Sequence, residues 1–165
     1  MEFTLTKEQK LYKLEIENFI KANLCGEEAE SFSMEQWKMI SEFGLLGIAA
    51  SKEYGGSGES YLTAAVVMES LGYSCYNNGF IFVIANHIWV AQNIIELYGS
   101  DILKRKYLSS MISGEKIGAF ALTEIEAGSD ALAINTYAEK IGDGYMLNGS
   151  KMFISNGPID RKSVV

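Results

Sequence analysis

Two stretches of this sequence carry side chains suited to chemistry. The first reads FALTEIEAGSD over residues 120–130. It begins as an apolar strand and breaks into a loop with a small-residue tip. Gly128 lets a backbone approach closely, so the loop can offer N–H groups to a phosphate or to the polar edge of a ring. Thr123 and Ser129 add hydroxyls. The second stretch reads NGSKMFISNG over residues 148–157. Phe153 and Ser155 are two apart, which on a strand puts them on one face. An aromatic beside a hydroxyl suits a planar ring system, one stacking and the other hydrogen-bonding the ring edge. Taken singly, each pattern also suits a plainer role, as a surface loop or as a β-core aromatic beside a satisfied serine.

The elements that must position these stretches are punctuated clearly. Thr6 and Gln9 have capping-box spacing, and Tyr12, Ile16, Phe19 and Ile20 recur at helical intervals after them. Ser33 and Gln36 repeat the box ahead of Trp37, Ile40 and Phe43, with Gly44 as a stop. A glycine-rich loop follows at 53–58. A third helix is predicted over 60–71, ending at Gly72, and a fourth over 78–98, ending at Gly99. A fifth opens at Ser100 and Asp101, turns Leu103, Tyr107, Leu108, Met111 and Ile112 inward, and ends at Gly114. Beyond it the texture becomes β-like. Strands are predicted over 116–123, 134–141 and 145–147, with Gly142-Asp143-Gly144 as a hairpin turn. Asn148-Gly149 turns again before a last run at 151–154. The expected fold is therefore mainly α, a helical domain over 1–115 followed by the opening strands of an incomplete β domain over 116–165.

Composition bounds the function. The 165 residues carry 14 Lys and Arg against 21 Asp and Glu, a formal charge of −7, which argues against a nucleic-acid partner. Apolar types make up 48% of the chain, so it can bury a sizeable core. Cys25 and Cys75 form no CxxC or Cys/His pattern, which predicts reduced thiols and no structural zinc. Met1 to Thr4 show no basic targeting start, and a cytoplasmic location is expected. From Ser70 to Ile95 there is no charged residue, a length that could span a bilayer. Asn77, Asn78, Asn86, His87, Gln92 and Asn93 within it would be costly in lipid, so a buried core helix is expected and no membrane insertion. His87, the single histidine, is expected as a hydrogen-bonded core residue.

Together and in order, the two stretches resemble the acyl-CoA dehydrogenase family, whose flavin site uses a T-E-P-x-x-G-S-D loop and a K-x-W/F-I-T/S-N-G strand. The similarity extends to Phe43-Gly44-Leu45-Leu46-Gly47, to Glu53-Tyr54-Gly55-Gly56 and to most of residues 98–130. The resemblance implies an N-terminal helical domain of that type and the first strands of a β-barrel. It implies FAD as cofactor. Phe120, Leu122 and Thr123 would lie against the isoalloxazine, with Thr123 on its pyrimidine edge. Gly128 and Ser129 would meet the pyrophosphate, and Ser129 would also touch the thioester substrate. Phe153 would stack on the flavin, Ser155 would hydrogen-bond near N5, and Ile154 would add backbone contacts.

The reaction so implied is α,β-dehydrogenation of an acyl-CoA or acyl-carrier thioester, with electrons passed on to an electron-transferring flavoprotein. Ile125 and Ser51 stand where the family commonly has proline, changes that remove no ligand. The family's base is a Glu of a C-terminal helical domain that has no counterpart in this sequence, so the catalytic residue is unassigned. Glu124 and Glu126 are expected as exposed loop residues. The expectation is a truncated portion, inactive alone, that acts as a homo-oligomer or with a complementing chain. An oxidase or monooxygenase of the same superfamily, and a non-catalytic interaction module derived from such an enzyme, remain the alternatives.

Overall fold

The computed structural model describes residues 4–24 and 32–159. Cys25, expected as a reduced thiol, lies outside the described residues; Cys75 is buried. Helix α1 (Lys7–Asn23) starts on a complete capping box, the Gln9 N–H donating to Thr6 Oγ1 and the Thr6 N–H to Gln9 Oε1. Helix α2 (Met34–Phe43) is capped by Ser33, but the reciprocal half of its predicted box does not form, and Gln36 Oε1 is buried without a partner. Gly44 ends α2 at φ 89°, as its position predicts. Helix α3 (Tyr61–Ser74) runs through Gly72 instead of stopping there. Open space surrounds Gly72, and Leu71 beside it is fully buried, so tertiary packing carries the helix past a residue of low propensity.

The long apolar helix is continuous over Asn78–Tyr98 but not uniform. It comprises α4 (Asn78–Ala85), a π-helical segment (Asn86–Gln92) and α5 (Asn93–Tyr98). Its length and composition would allow a membrane crossing, yet it buries Phe80, Ile84, His87, Ile88, Ala91 and Gln92 against the other helices. Helix α6 (Asp101–Ile112) buries Leu108, Met111 and Ile112, while Leu103, expected inward, is exposed and Tyr107 is half-buried. The main core joins Ile16, Ile20, Trp37, Ile40, Leu71, Phe80 and Ile84 from four helices, with Leu46 from the 3-10 turn after α2.

The β part is smaller than the sequence pattern predicts. Strands β1 (Tyr137–Ile141) and β2 (Gly144–Asn148) form an antiparallel hairpin with Ile141 opposite Gly144. Gly142 is the turn residue with positive φ (58°), the type II′ pattern that suits a two-residue loop. Among the described residues no strand forms over 116–123 or 151–154. One backbone bond joins these runs, from the Met152 N–H to the Thr123 carbonyl at 2.9 Å, and one bond is not a ladder. Both strands of the hairpin are exposed along their lengths apart from half-buried Asn148, so the hairpin stands outside the core.

Helix α6 leads into the β part through a tight corner. Trp37 Nε1–H donates to the Gly114 carbonyl at 2.9 Å. Gly114 has φ 73°, and a Cβ there would lie 2.7 Å from Ser41 Cβ. Substituting Gly114→Ala is expected to destabilise the protein by about 1–3 kcal/mol through overpacking and positive-φ strain. By contrast, Gly72→Ala, in the last turn of α3 with room for a methyl, is expected to stabilise by about 0.5–1 kcal/mol. Urea midpoints of the two variants moving in opposite directions is the check.

Candidate functional site

The first stretch enters the site at Gly118, which is buried. Its N–H donates to His87 Nδ1 at 2.9 Å, and its carbonyl accepts from Asn156 Nδ2 at 3.0 Å. From there the chain is extended in character: Phe120 and Leu122 are exposed, while Ala121 and Thr123 are half-buried. The loop then closes on itself, with the Glu124 N–H donating to the Ala127 carbonyl and the Ala127 N–H to the Glu124 carbonyl. Ala127 is buried beneath the loop, and Gly128, Ser129 and Asp130 project at its exposed tip. Asp130 Oδ1 accepts the Leu132 N–H and opens one 3-10 turn towards the hairpin.

Glu124 is a correction to the sequence reading. It is 7% exposed and not a solvated loop residue. Its carboxylate accepts the Asn135 N–H at 2.7 Å, the Thr136 N–H at 3.0 Å and a hydrogen bond from Lys151 Nζ at 2.8 Å. The same ammonium donates to the Leu122 carbonyl at 2.9 Å. One buried carboxylate thus fastens three segments: the loop after residue 122, the start of the hairpin, and the second stretch. The Lys151 ammonium first, then the donors at Thr136 and Asn135, lower the Glu124 pKa to about 2. A carboxylate so stabilised is a poor base. Glu126 is exposed, as expected.

The second stretch forms no strand after Asn148; it bends at Phe153 and turns from Ser155 onward. Phe153 sits at φ 57° and Asn156 at φ 67°. With Phe153 itself left-handed and the strand pleat lost, Phe153 and Ser155 do not share a strand face as the spacing predicts. The Phe153 ring is 82% exposed, while Ile154 and Ser155 are half-buried. A non-glycine residue held left-handed, with its large apolar ring in solvent, is a costly arrangement that no packing among the described residues repays. It fits a planar ligand laid against that ring. Asn156 anchors the turn, its Nδ2 donating to the carbonyls of Val83 and Gly118 at 3.2 and 3.0 Å.

The expected site residues therefore lie on two segments that the structure brings together through Lys151, Met152 and Asn156. Phe120, Leu122, Gly128, Ser129 and Phe153 are exposed, and Thr123, Ile154 and Ser155 are half-buried. The residues that do the joining, Glu124, Lys151, Asn156 and His87, had no assigned part in the site. Lys151 and Asn156 fall inside the second stretch, and that membership is the signal that could have found them. His87 is fully buried, as expected, and its ring meets Trp37 edge-on at 4.9 Å. Burial lowers its pKa to about 4, so it is neutral at physiological pH. Among the described residues no cluster of His, Cys, Asp and Glu could hold a metal ion.

This geometry matches a known pair of domains. The acyl-CoA dehydrogenase N-terminal domain matches residues 6–115, and the acyl-CoA dehydrogenase middle domain matches residues 119–165. The chain belongs to the acyl-CoA dehydrogenase family. It is 39% identical over 164 residues to the short-chain specific acyl-CoA dehydrogenase of Clostridium acetobutylicum, covering 96% of this chain and 43% of that protein. Among solved structures it is similar to the prolyl acyl carrier protein oxidase AnaB (TM-score 0.91, 34% identity, 95% of this chain and 43% of that one). It is also similar to PigA with FAD and proline (TM-score 0.89, 32% identity, 97% of this chain and 43% of that one). The chain thus spans less than half the length of the relatives it matches.

His87 and Glu124 both make the fold of this family member less stable in acid. Unfolded His87 takes up a proton near pH 6.5, but the buried ring resists until about pH 4. The unfolded state binds more protons in that window, so stability is full above it and falls by about 3 kcal/mol as pH drops through it. Glu124, lowered from 4.5 to about 2, contributes stability above pH 4.5 that is lost as pH falls towards 2. Urea midpoints measured against pH are expected to fall across both windows. Glu124→Gln is expected to lower stability at neutral pH and to flatten the lower window.

Proposed function

We propose that this chain supplies the helical domain and one face of the flavin site of an FAD-dependent acyl thioester dehydrogenase. The observation that carries the reading is the pairing of the two family stretches by the buried Glu124–Lys151 contact, with Phe120, Leu122, Ser129 and Phe153 left exposed around it. In this reading Phe120, Leu122 and Phe153 hold the FAD ring system and Thr123 its pyrimidine edge. Gly128 and Ser129 hold the pyrophosphate, and Ile154 and Ser155 hold the region near N5. Ser129 also meets the thioester. Bound FAD would supply the hydride acceptor for α,β-dehydrogenation. The chain's own residues bind, orient and exclude water.

Removal of the α-proton needs a base, and the described residues offer none that suits. Glu124 is held ionised with both oxygens occupied, and His87 is enclosed in the core. We propose that the base is supplied from outside the described residues, and that residues 1–165 alone are inactive. The proposed substrate is a thioester on CoA or on a carrier protein, and the proposed electron acceptor is an electron-transferring flavoprotein. The likeness to a carrier-protein oxidase favours one second reading, in which oxygen takes the electrons; oxygen uptake during turnover separates the two.

Quenching of flavin fluorescence on titration of FAD with the protein tests the reading. Saturable binding is expected, and Phe153→Ala is expected to weaken it about tenfold, the worth of one aromatic stacking contact. A protein that shows no saturable FAD binding overturns it.

A further inference from the structure

The core histidine is doing more than filling space. We propose that His87 is a positioning residue that sets both flavin-facing segments at once, through the Gly118 peptide group and, across it, Asn156. This inference rests on the flavin reading given above.

The ring's two nitrogens have different partners. The Gly118 N–H can only donate, so Nδ1 is the acceptor. Nε2 then carries the proton and faces the Met111 carbonyl at 3.0 Å, with the Gln92 amide 2.8 Å away. The helix C-terminus of α6 and the start of the first stretch are thereby bridged by one imidazole, whose ring plane is fixed by the edge-on contact with Trp37. Gly118 cannot slide away from it. A Cβ at that position would lie 2.4 Å from Ala91 Cβ and 2.5 Å from Met111 Cε, so the backbone is pressed into the helix as closely as it can go.

The Gly118 carbonyl continues the chain of bonds to Asn156 Nδ2, and the same amide group donates to the Val83 carbonyl. Two carbonyl acceptors fix the amide's orientation, and Asn156 Oδ1 is left buried without a partner. Val83 and His87 lie one turn apart on the same long helix. That helix therefore grips the first stretch two residues before Phe120 and the second stretch one residue after Ser155. His87 also belongs to the π-helical segment, whose extra residue per turn re-aims side chains and recurs at functional sites.

A pair of variants separates positioning from packing. His87→Asn keeps an amide oxygen near the place of Nδ1 and loses the reach to Met111. His87→Gln reaches towards Met111 and loses the acceptor for Gly118. A histidine that merely fills the core predicts that the two variants behave alike. The readouts are hydrogen exchange at the Gly118 amide and FAD affinity by fluorescence quenching. His87→Asn is expected to keep Gly118 protection and FAD affinity within about threefold of the parent, whereas His87→Gln loses about tenfold in each, the effect of one lost hydrogen bond. Equal exchange and equal affinity in the two variants overturns the proposal. If a His87 variant does not fold, Asn156→Ala is compared with the core variant Ile84→Ala. FAD binding weakened no more by Asn156→Ala than by Ile84→Ala overturns it, and a selective loss in Asn156→Ala supports it. If the parent binds no FAD, the flavin reading falls, and Gly118 exchange alone decides the positioning role.

Discussion

A carboxylate taken out of water must find charged and hydrogen-bonding partners, and the Glu124 side chain is where this chain meets that constraint. Its partners come from two places further along the chain: Asn135 and Thr136 at the foot of the hairpin and Lys151 in the second stretch. None of these segments has an apolar core of its own. The loop tip is exposed, the hairpin is exposed on both strands, and residues 151–154 run irregularly into a turn instead of pairing in a sheet. With little area to bury, the order of this region depends on satisfying one charge. Lys151 strengthens the arrangement by also capping the Leu122 carbonyl, so the cation holds the backbone as well as the anion.

The helical part solves the opposite problem. It has abundant apolar area, and its helices are placed by burial of Ile16, Ile20, Trp37, Ile40, Leu71 and Ile84 in one cluster. Polar groups enter that core where the helices must hand the chain over to the β part: Trp37 to Gly114, His87 to Gly118, and Asn156 back to Gly118 and Val83. Each of these bonds has a backbone group at one end, so they fix the path of the chain and not merely a side-chain rotamer. A rigid apolar platform with neutral hydrogen bonds at its edge, and beyond it a charged clasp, is the arrangement on which the exposed aromatic residues stand.

Much of the fold was legible because its signals are local. The Thr6–Gln9 box, the Gly44 stop and the Gly142-Asp143 turn depend on residues within four positions of one another, and all three form. Gly72 misled because helix propensity is a weak preference that the burial of Leu71 overrides. The strands predicted over 116–123 and 151–154 misled because a short apolar run between polar residues shows what a strand would bury, but not whether a partner pairs with it. For the site, the two stretches were legible as stretches. Glu124 was read as solvated because nothing near it in sequence shows that Lys151 will approach to 2.8 Å.

By itself, the sequence determined the family, the helical character of the first two thirds and the hairpin. These follow from patterns short enough to be read along the chain. The tertiary structure decided what depends on distance through space: that Glu124 is ionised and enclosed, that His87 is neutral and turned towards Gly118, and that Phe153 stands left-handed in solvent. Burial and partnership set those properties. A residue's burial and partners are fixed when segments far apart in sequence pack together.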